Sequence, residues 1–436
     1  MKKIIALLLA ALMVMSMAAC AAKTEPAADK PASETSAAET TAAETKEEAA
    51  PAESDNVAVP GDDKVYIGVV KYLTGDQQTI GRYCTESVDM AVEEINAAGG
   101  ILGKQVEAVY IDEGDATVDA TVNAMSYALE DQRLSAMLFG YMTQNCIAAV
   151  DVLDNAEKPI PALFGNSGQK FSLDGIHDYA WQTRQLDGSG GVDRIYSIQD
   201  IAKEQNIDIQ KVVIFSPDTS SSIEASESWR ADFEACGYEI PDDCFIIHSN
   251  NDTNYVPYAA QIKALDPDVI ILGGADADMA LAVVALEEAG LNEPGIIRVG
   301  NASIASNTVI NNGGSAATGW YSFADWCPTL STERSMEYTK NFEARYGYLP
   351  CNVNVAAYDQ IYLLKAAMEQ AGTTTDRVAI HDALNNISGL ELCMGTYNSD
   401  NNRHSFLTEL QLVQIDDQGI IQYVSTMHFE NIKGAG

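Results

Sequence analysis

From residue 65 onward the sequence alternates between short apolar runs and amphipathic segments, and this alternation limits the fold more than any other feature. The apolar run 65–70 is followed by Val88, Ala91, Val92 and Ile95, which are spaced as one face of a helix. Further strand-like runs lie at 107–111, 136–139, 160–164, 212–215, 244–248, 269–272, 296–299, 319–323, 406–414 and 421–427. Helix-like segments lie at 116–129, 148–156, 223–236, 279–288, 332–345 and 355–369. Nearly continuous apolar strands separated by helices predict parallel sheets covered on both faces.

The predicted strands are more numerous than a single sheet usually holds. We therefore expect an α/β fold with two doubly wound parallel-sheet lobes. The glycine-rich stretch 186–191 is a candidate crossover between the lobes. The C-terminal third loses the simple alternation, which indicates that the chain returns to each lobe. We expect lobe 1 to contain residues 63–186 plus about 326–386, and lobe 2 to contain 187–325 plus about 387–436.

The first 20 residues have the pattern of an export signal. Two lysines at positions 2 and 3 precede the apolar run 4–15, which is too short to span a bilayer. Small residues then lead to Cys20 and resemble a bacterial lipobox, although Met17 stands where leucine is usual. We expect a lipoprotein signal peptide at 1–19 and lipidation at Cys20. An ordinary secretion signal with an incidental cysteine is the alternative.

Residues 20–62 are a low-complexity segment of Ala, Thr, Glu, Ser and Pro. Such a segment cannot bury enough apolar surface to offset its ordering entropy, so we expect a disordered acidic tether. Ten acidic and three basic residues give it only a small share of the formal charge of −37, so the rest of the chain is also acidic. Nucleic acid is excluded as a partner because its phosphates would be repelled.

Catalytic and metal-binding signatures are largely absent. None of the five histidines has a ligand spacing, and there is no G-x-S-x-G elbow or phosphate loop. Residues 416–419 look like part of a calcium loop, but a hairpin turn is needed there and is favoured. We therefore expect no catalytic residue, no cofactor and no metal, and we expect that the chain is not an enzyme.

Polar residues follow the carboxyl ends of five predicted strands, at 140–145, 165–167, 216–221, 273–276 and 300–303. Ligands bind at this edge of open α/β sheets because helix N-termini and loop amides converge there. Any single cluster could instead be a helix N-cap, which uses the same residue types. Five clusters divided between two lobes favour a ligand site, with Tyr141 and Asn166 among its candidate residues.

Seven cysteines remain after Cys20, an odd number that leaves at least one thiol unpaired within the chain. Cys236 and Cys244 flank a short connection and are the first candidate disulfide. Cys327 with Cys351 is the second, and reduced buried thiols are the alternative.

The segments 67–70 (IGVV), 73–75 (LTG) and 91–104 (AVEEINAAGGILGK) resemble the branched-chain amino acid type of ABC-transporter substrate-binding protein. Residues 110–112 and 356–359 fit the same pattern, and the similarity runs from about residue 65 to the C terminus. The resemblance implies a type I periplasmic-binding fold, in which three crossovers join two α/β lobes that close over a ligand.

Carried over by position, the resemblance implies first-lobe contacts at Gln144, the Gly165 carbonyl and Ser167, which would hold a carboxylate and part of an ammonium group. Asp187 matches the family's aspartate at the first crossover. Our hypothesis is that Gln144 and Ser167 anchor the acidic or amide end of an amphipathic small molecule.

The sequence also departs from the family. Gln144 replaces a small hydroxyl residue, Ser221 replaces the second-lobe tyrosine, and Ala302 replaces the acid that meets the ammonium group. Asp276 could supply that lost charge, whereas Asn301 could supply only a neutral hydrogen bond. These changes weaken the inference to leucine, isoleucine or valine. They favour another amino acid, an amide or a small peptide-like metabolite.

We therefore expect an extracytoplasmic solute-binding lipoprotein that captures a small amino-acid-like ligand between its lobes and delivers it to an ABC permease. It would be a monomer anchored to the membrane through lipid at Cys20, at the cell surface in a Gram-positive organism and in the periplasm otherwise. A ligand-sensing receptor of the same fold is one alternative. An exported enzyme is ranked last because catalytic motifs are missing.

Overall fold

The computed structural model describes residues 64–168, 171, 177–184, 190–400, 405–407 and 409–428. Its first strand, β1 (Lys64–Lys71), shows how the sequence pattern produces a layered fold. Val65, Ile67 and Val69 lie in one apolar cluster, whereas Val70 lies in another. Alternate residues of a strand point to opposite faces, so this strand is covered on both sides, as a nearly continuous apolar run predicts.

The described residues contain fifteen strands and eleven α-helices. The strands after β1 are β2 (Gln105–Asp112), β3 (Leu134–Phe139), β4 (Ala162–Phe164), β5 (Ala180–Gln182), β6 (Val212–Pro217), β7 (Phe245–His248), β8 (Val269–Leu272), β9 (Ile297–Gly300), β10 (Tyr321–Ala324), β11 (Leu390–Leu392), β12 (Gly395–Asp400), β13 (Ser405–Leu407), β14 (Glu409–Ile415) and β15 (Ile421–His428). The helices are α1 (Gln78–Ala97), α2 (Val118–Glu130), α3 (Thr143–Asp154), α4 (Val192–Gln205), α5 (Ser220–Ala235), α6 (Val256–Leu265), α7 (Asp276–Glu288), α8 (Asn307–Gly313), α9 (Glu333–Tyr346), α10 (Asn352–Ala371) and α11 (Arg377–Leu384).

The first sheet has the strand order β11-β12-β13-β5-β4-β3-β1-β2 in the part of the chain that the structure describes. Strands β1 to β5 pair in parallel, and the register aligns Val70 with Phe139 and Phe139 with Phe164. The carboxyl ends of β1, β3, β4 and β5 therefore lie together, and we name them the first edge.

The second sheet has the order β15-β14-β10-β9-β8-β6-β7. Strands β6 to β10 are parallel, and the hairpin of β14 and β15 adds two antiparallel strands beside β10. The register aligns Phe215 with Leu272 and Leu272 with Gly300. We name the carboxyl ends of β6, β8 and β9 the second edge.

The chain passes between the two sheets three times, after β5, after β10 and after β13. The α/β class with two mainly parallel sheets is confirmed. One lobe boundary differs from the expectation, because β11, β12 and β13 belong to the first sheet, whereas residues from about 387 onward were assigned to lobe 2. The carboxylate of Asp359 in α10 accepts the backbone N–H groups of Cys393 and Met394, and so ties the β11–β12 turn to the first lobe.

The end of α1 is set by two glycines, as the sequence predicts. The helix ends at Ala97, and Gly99 and Gly100 follow with φ of +105° and +80°. A Cβ on Gly100 would lie 1.9 Å from the carbonyl oxygen of Lys104, so a side chain has no room there. Glycine therefore serves both the positive φ and the close approach of the next turn.

Residues 416–419 form the hairpin turn between β14 and β15, as favoured. The carboxylate of Asp416 accepts the backbone N–H groups of Gln418 and Ile420 at 2.9 and 2.8 Å, and the side-chain amide of Gln422 at 2.7 Å. Its oxygens therefore hold the turn together.

All seven cysteines of the described residues are free thiols. The Cys236–Cys244 and Cys327–Cys351 disulfides are thus not formed, in agreement with the reduced alternative. Cys351 instead donates to Asn354 Oδ1 at 3.2 Å at the start of α10, and the Cys327 sulfur lies 3.7 Å from the Thr329 hydroxyl.

Cys20, the signal peptide at 1–19 and the tether at 20–62 lie outside the described residues. Within the described residues, none of the helices combines the length and apolar character needed to span a membrane.

Candidate functional site

The first edge brings together the loops that follow β3 and β4. The N–H of Gly165 donates to the carbonyl of Phe139 at 3.1 Å, and the N–H of Gly168 donates to the hydroxyl of Thr143 at 3.2 Å. These bonds place residues 140–145 beside residues 165–168. Tyr141, Gln144, Gly165, Asn166 and Ser167 therefore lie on neighbouring loops of one edge, as parallel pairing requires.

The side chains of Gln144 and Ser167 have no hydrogen-bond partner in the part of the chain that the structure describes. Gln144 is exposed in the first turn of α3, and Ser167 is half-buried. Neither side chain makes a hydrogen bond to another described residue. Both therefore have polar atoms left for a ligand or water.

Asn166 differs from its neighbours because its side chain is 1% exposed. Its amide oxygen and amide nitrogen both lack a partner among the described residues. A buried polar group without a hydrogen bond costs about 1–3 kcal/mol, so a partner at this position would be stabilising.

Two basic side chains that sequence reasoning missed lie directly below the first edge. Lys71, at the end of β1, is 2% exposed and donates to the carbonyl of Gly140 at 2.6 Å. Arg184, which follows β5, is 6% exposed and pairs with Asp325 at 2.6 Å. A Cβ on Gly165 would lie 3.4 Å from Lys71 Nζ, so the glycine keeps the ammonium group close to the edge.

Lys71, Gly165 and Arg184 surround a cavity of about 10 Å³ together with Tyr141 and Gln360. This volume is at the lower limit for one water molecule. The cavity is therefore too small for a solute, and any ligand at this edge must lie outside it.

The Arg184–Asp325 pair joins the first passage between the sheets to the second. Arg184 follows β5, and Asp325 follows β10. The side-chain amide of Asn352, at the start of α10, also donates to Asp325 at 3.1 Å. One buried carboxylate thus ties two of the three connecting segments together where the lobes meet.

Charged groups from both lobes act on the Tyr141 hydroxyl. Burial raises the pKa of its hydroxyl, the nearby Arg184 guanidinium lowers it, and Cys351, Asp276 and Asp325 raise it further. Arg184 lies 5.8 Å from the centre of the Tyr141 ring and pairs with Asp325, which follows the carboxyl end of β10, so the carboxyl ends of the two sheets approach each other here. We name the space between them the cleft.

Asn301 and Asp276 lie on adjacent loops of the second edge. The amide of Asn301 donates to the Gly274 carbonyl at 2.9 Å, and its oxygen accepts the N–H of Ser303 at 3.1 Å. Asn301 therefore ties the two loops together and caps a short 3₁₀ helix. Asn301 is therefore a helix N-cap, which is the alternative to a ligand contact that the sequence pattern allows.

Asp276 and Ser221 have side chains that are unbonded among the residues that the structure describes. Asp276 is half-buried at the first position of α7, and Ser221 is exposed at the second position of α5. The cap of α5 is Thr219, whose hydroxyl accepts the N–H of Ser222. Neither Asp276 nor Ser221 makes a side-chain hydrogen bond or ion pair within the described residues, so both remain available.

Asp187 lies outside the described residues, and its expected role at the first crossover stays a prediction. No group of three or more His, Cys, Asp and Glu side chains in the described ranges is arranged to hold a metal ion.

Comparison with known proteins places this geometry in context. A profile of the periplasmic binding protein family matches residues 64–419. Leu/Ile/Val-binding protein homolog 4 of Brucella abortus (strain 2308) is 21% identical over 348 residues, which cover 78% of this chain and 80% of the relative.

Solved structures share the two-lobed fold. The branched-chain amino acid transporter substrate-binding protein LivJ of Streptococcus pneumoniae, in complex with isoleucine, superposes with a TM-score of 0.69 at 19% identity, covering 83% of this chain and 99% of its own. An ABC-transporter solute-binding protein of Rhodopseudomonas palustris BisB5, in complex with 3,4-dihydroxybenzoic acid, superposes with a TM-score of 0.69 at 18% identity, covering 84% of this chain and 98% of its own.

Proposed function

This chain belongs to the periplasmic binding protein family, whose members are non-enzymatic binding proteins, and we propose that it is the solute-binding component of an ABC importer. The family and the type I fold agree with the resemblance seen in the sequence. The solute would bind in the cleft and be delivered to a permease in the membrane.

The observation that carries this proposal is the contrast of free polar groups across the cleft. Gln144 and Ser167 offer neutral hydrogen-bonding atoms on the first edge, whereas Asp276 offers a carboxylate on the second. Arg184 lies 5.8 Å from the Tyr141 ring and pairs with Asp325 of the second connecting segment, which supports a cleft bounded closely by both lobes.

The buried positive charges below the first edge favour binding of the acidic or amide end of a solute at the first lobe. Lys71 and Arg184 are buried there, and Arg184 is paired with Asp325, whereas Lys71 donates to a carbonyl, so its positive charge acts strongly on a nearby anion because the surroundings are of low polarity. The isoleucine and 3,4-dihydroxybenzoic acid bound by the two solved relatives share a carboxylate. A carboxylate that accepts hydrogen bonds from the Gln144 side-chain amide and the Ser167 hydroxyl is therefore the common element we propose, and the Gly165 carbonyl could accept from an ammonium group.

Asp276 divides the possible solutes into two groups. A solute with an ammonium group would gain a charge-assisted hydrogen bond from this carboxylate, worth about 1.5–3 kcal/mol. An aromatic acid without a cationic end would leave Asp276 without a partner. We propose an amino-acid-like solute, with Ser221 and Asn166 contributing hydrogen bonds nearby.

A thermal-unfolding screen tests the proposal. Amino acids, amides, nucleosides and aromatic acids are added singly, and the melting temperature is recorded. A solute at 100 times its dissociation constant should stabilise the protein by about 2.7 kcal/mol. Stabilisation by amino acids supports the proposal, and a screen in which no solute raises the melting temperature contradicts it.

We propose further that the protein is a monomeric lipoprotein tethered outside the cytoplasm through lipid on Cys20. The support is the sequence pattern of residues 1–20 and the acidic, low-complexity segment 20–62. Labelling of cells with radioactive palmitate should mark the wild-type protein but not Cys20→Ser. Equal labelling of both, or labelling of neither, would refute the anchor while leaving solute binding untouched.

A further inference from the structure

A second cavity lies in the second lobe, at the end of the sheet opposite to the cleft. It has a volume of about 710 Å³. Arg298, the second residue of β9, lines it together with residues 417–419 of the β14–β15 turn and residues 318–319 just before β10. The carboxyl end of β9 leads instead to Asn301 at the second edge. The size is typical of small-molecule sites, which span about 300–1,000 Å³.

Arg298 is the unusual residue of this cavity. It is 9% exposed, and its Nε and Nη1 atoms are buried with no hydrogen-bond partner in the described ranges. Within the described residues no carboxylate forms an ion pair with it, and its guanidinium lies 5.9 Å from the centre of the Trp320 ring. A buried cation without a counter-ion is costly, which points to a ligand that supplies one.

The charge of Arg298 persists at neutral pH. Burial lowers the pKa of its guanidinium to about 10, while Tyr321 and Glu287 act in the opposite direction. Gly319 leaves space beside it, because a Cβ there would lie 2.6 Å from Arg298 Nη2. The Arg298 guanidinium therefore keeps its charge. The lack of a side chain at Gly319 leaves room beside its Nη2 atom.

Uncharged donors surround the guanidinium. Asn292 and Ser315 make only long contacts to Glu287, at 3.4 and 3.5 Å, and Asn311 and Gln418 also line the cavity. These groups could turn to a bound oxyanion at little cost.

Two acids limit how much negative charge the cavity accepts. Asp417 is exposed in its lining, and Glu287 acts on Arg298 from α7. One guanidinium opposed by these carboxylates suits a monoanion better than a phosphate, which carries about −1.5 to −2 charges at pH 7. A planar carboxylate also matches the two-pronged geometry of a guanidinium.

We propose that the Arg298 cavity is a second binding site, separate from the cleft, for the carboxylate of a small organic acid. Arg298 pairs with the carboxylate, and the amide and hydroxyl groups of the lining hold the rest of the molecule. The site is independent of the solute proposed for the cleft.

Calorimetric titration at constant ionic strength tests this site with sodium acetate, sodium succinate, sodium benzoate and sodium phosphate. The proteins are the wild type, Arg298→Met, the cleft double variant Ser167→Ala with Asp276→Ala, and Arg334→Met. Arg334 is a matched control, since its Nε is also buried without a partner and its guanidinium lies over Tyr362 in the first lobe. Arg298→Met removes an unpaired buried charge, so it is expected to fold.

At least one carboxylate should bind the wild type, the cleft double variant and Arg334→Met with dissociation constants within about threefold of one another, because Arg298 is intact in all three proteins. Binding should weaken at least tenfold in Arg298→Met. Equal binding by Arg298→Met, loss of binding in the cleft double variant, or no carboxylate binding at all would overturn the second site. Tighter binding of phosphate than of every carboxylate would overturn the ligand class.

Discussion

The two edges that face each other across the cleft are built in different ways. Below the first edge, two buried cations are bonded within the protein: Lys71 to the Gly140 carbonyl and Arg184 to Asp325. On the second edge, Asp276 and Ser221 have no bonded partner among the described residues. The first edge therefore has a fixed base of bonded cations below the unbonded side chains of Gln144 and Ser167, whereas the second edge presents a carboxylate and a hydroxyl to a solute.

Because of this difference, substitutions in the two places should change different quantities, namely the free energy of unfolding and the affinity for a solute. Substitution of a buried, bonded charge leaves its partner without compensation and lowers the free energy of unfolding. Substitution of a half-exposed, unbonded group changes few protein contacts, so its effect should appear in affinity instead. The predictions below begin with the largest expected effect.

The first prediction concerns the pair that ties two connecting segments together. Asp325→Ala leaves the Arg184 guanidinium buried without this carboxylate and also removes the bond from Asn352. We expect the free energy of unfolding to fall by about 3–5 kcal/mol. Urea denaturation measures the change.

The control for Asp325→Ala is the exposed pair of Arg345 and Glu93, which also lies in the first lobe. Glu93→Ala should cost at most about 1 kcal/mol, because exposed pairs are screened by water. Equal losses in the two variants would remove the distinction between the fixed base and an ordinary surface pair.

The second prediction concerns pH and the buried Asp359, whose carboxylate holds the β11–β12 turn. Burial raises the pKa of Asp359 to about 6, above an ordinary value near 3.8, although the N–H groups of Met394 and Cys393 oppose the shift. The folded state therefore binds the proton more tightly, and this group favours folding most at low pH. Its contribution declines by about 3 kcal/mol as pH rises from about 4 through 6.

Unfolding free energies of the wild type and Asp359→Asn between pH 4 and pH 7 measure this contribution. The wild type should gain relative to the variant as pH falls, because the variant cannot take up the proton. A difference between the two proteins that stays constant with pH would contradict the raised pKa.

The third prediction concerns the second edge and is the smallest in stability. Asp276→Ala should lower the free energy of unfolding by only about 0.3–1 kcal/mol, because the main loss is the interaction with the N-terminus of α7. Asp278→Ala is the matched control, because Asp278 lies in the same helical turn and is also half-buried. A loss of several kcal/mol in Asp276→Ala would show that Asp276 is structural.

The sequence predicted the long apolar strands well and the short polar ones poorly. Strands β1 and β8 are continuous apolar runs, and their positions are clear from composition alone. Strands β5 and β11 have only three residues each, and β12 contains one large apolar residue, Tyr397, so their positions depend on partners distant in the sequence. That dependence explains why the sequence pattern does not place β11, β12 and β13 in the first sheet.

The candidate site shows the same limit. Residues at strand ends such as Ser167 and Asp276 could be predicted because parallel strands align their carboxyl ends. Lys71 and Arg184 could not, because burial of a cation depends on acceptors that only the folded chain supplies. Asn301 fits a cap and a ligand contact equally well by sequence, and only its two bonds identify the cap.

The most direct test of the account is calorimetric titration of the solute that most stabilises the protein, using the wild type, Ser167→Ala and Asp276→Ala. Solute held between the two edges predicts that each substitution weakens affinity by about tenfold or more, because each removes a hydrogen bond to a charged group worth roughly 1.5–3 kcal/mol. Unchanged affinity in both variants would contradict binding between the edges.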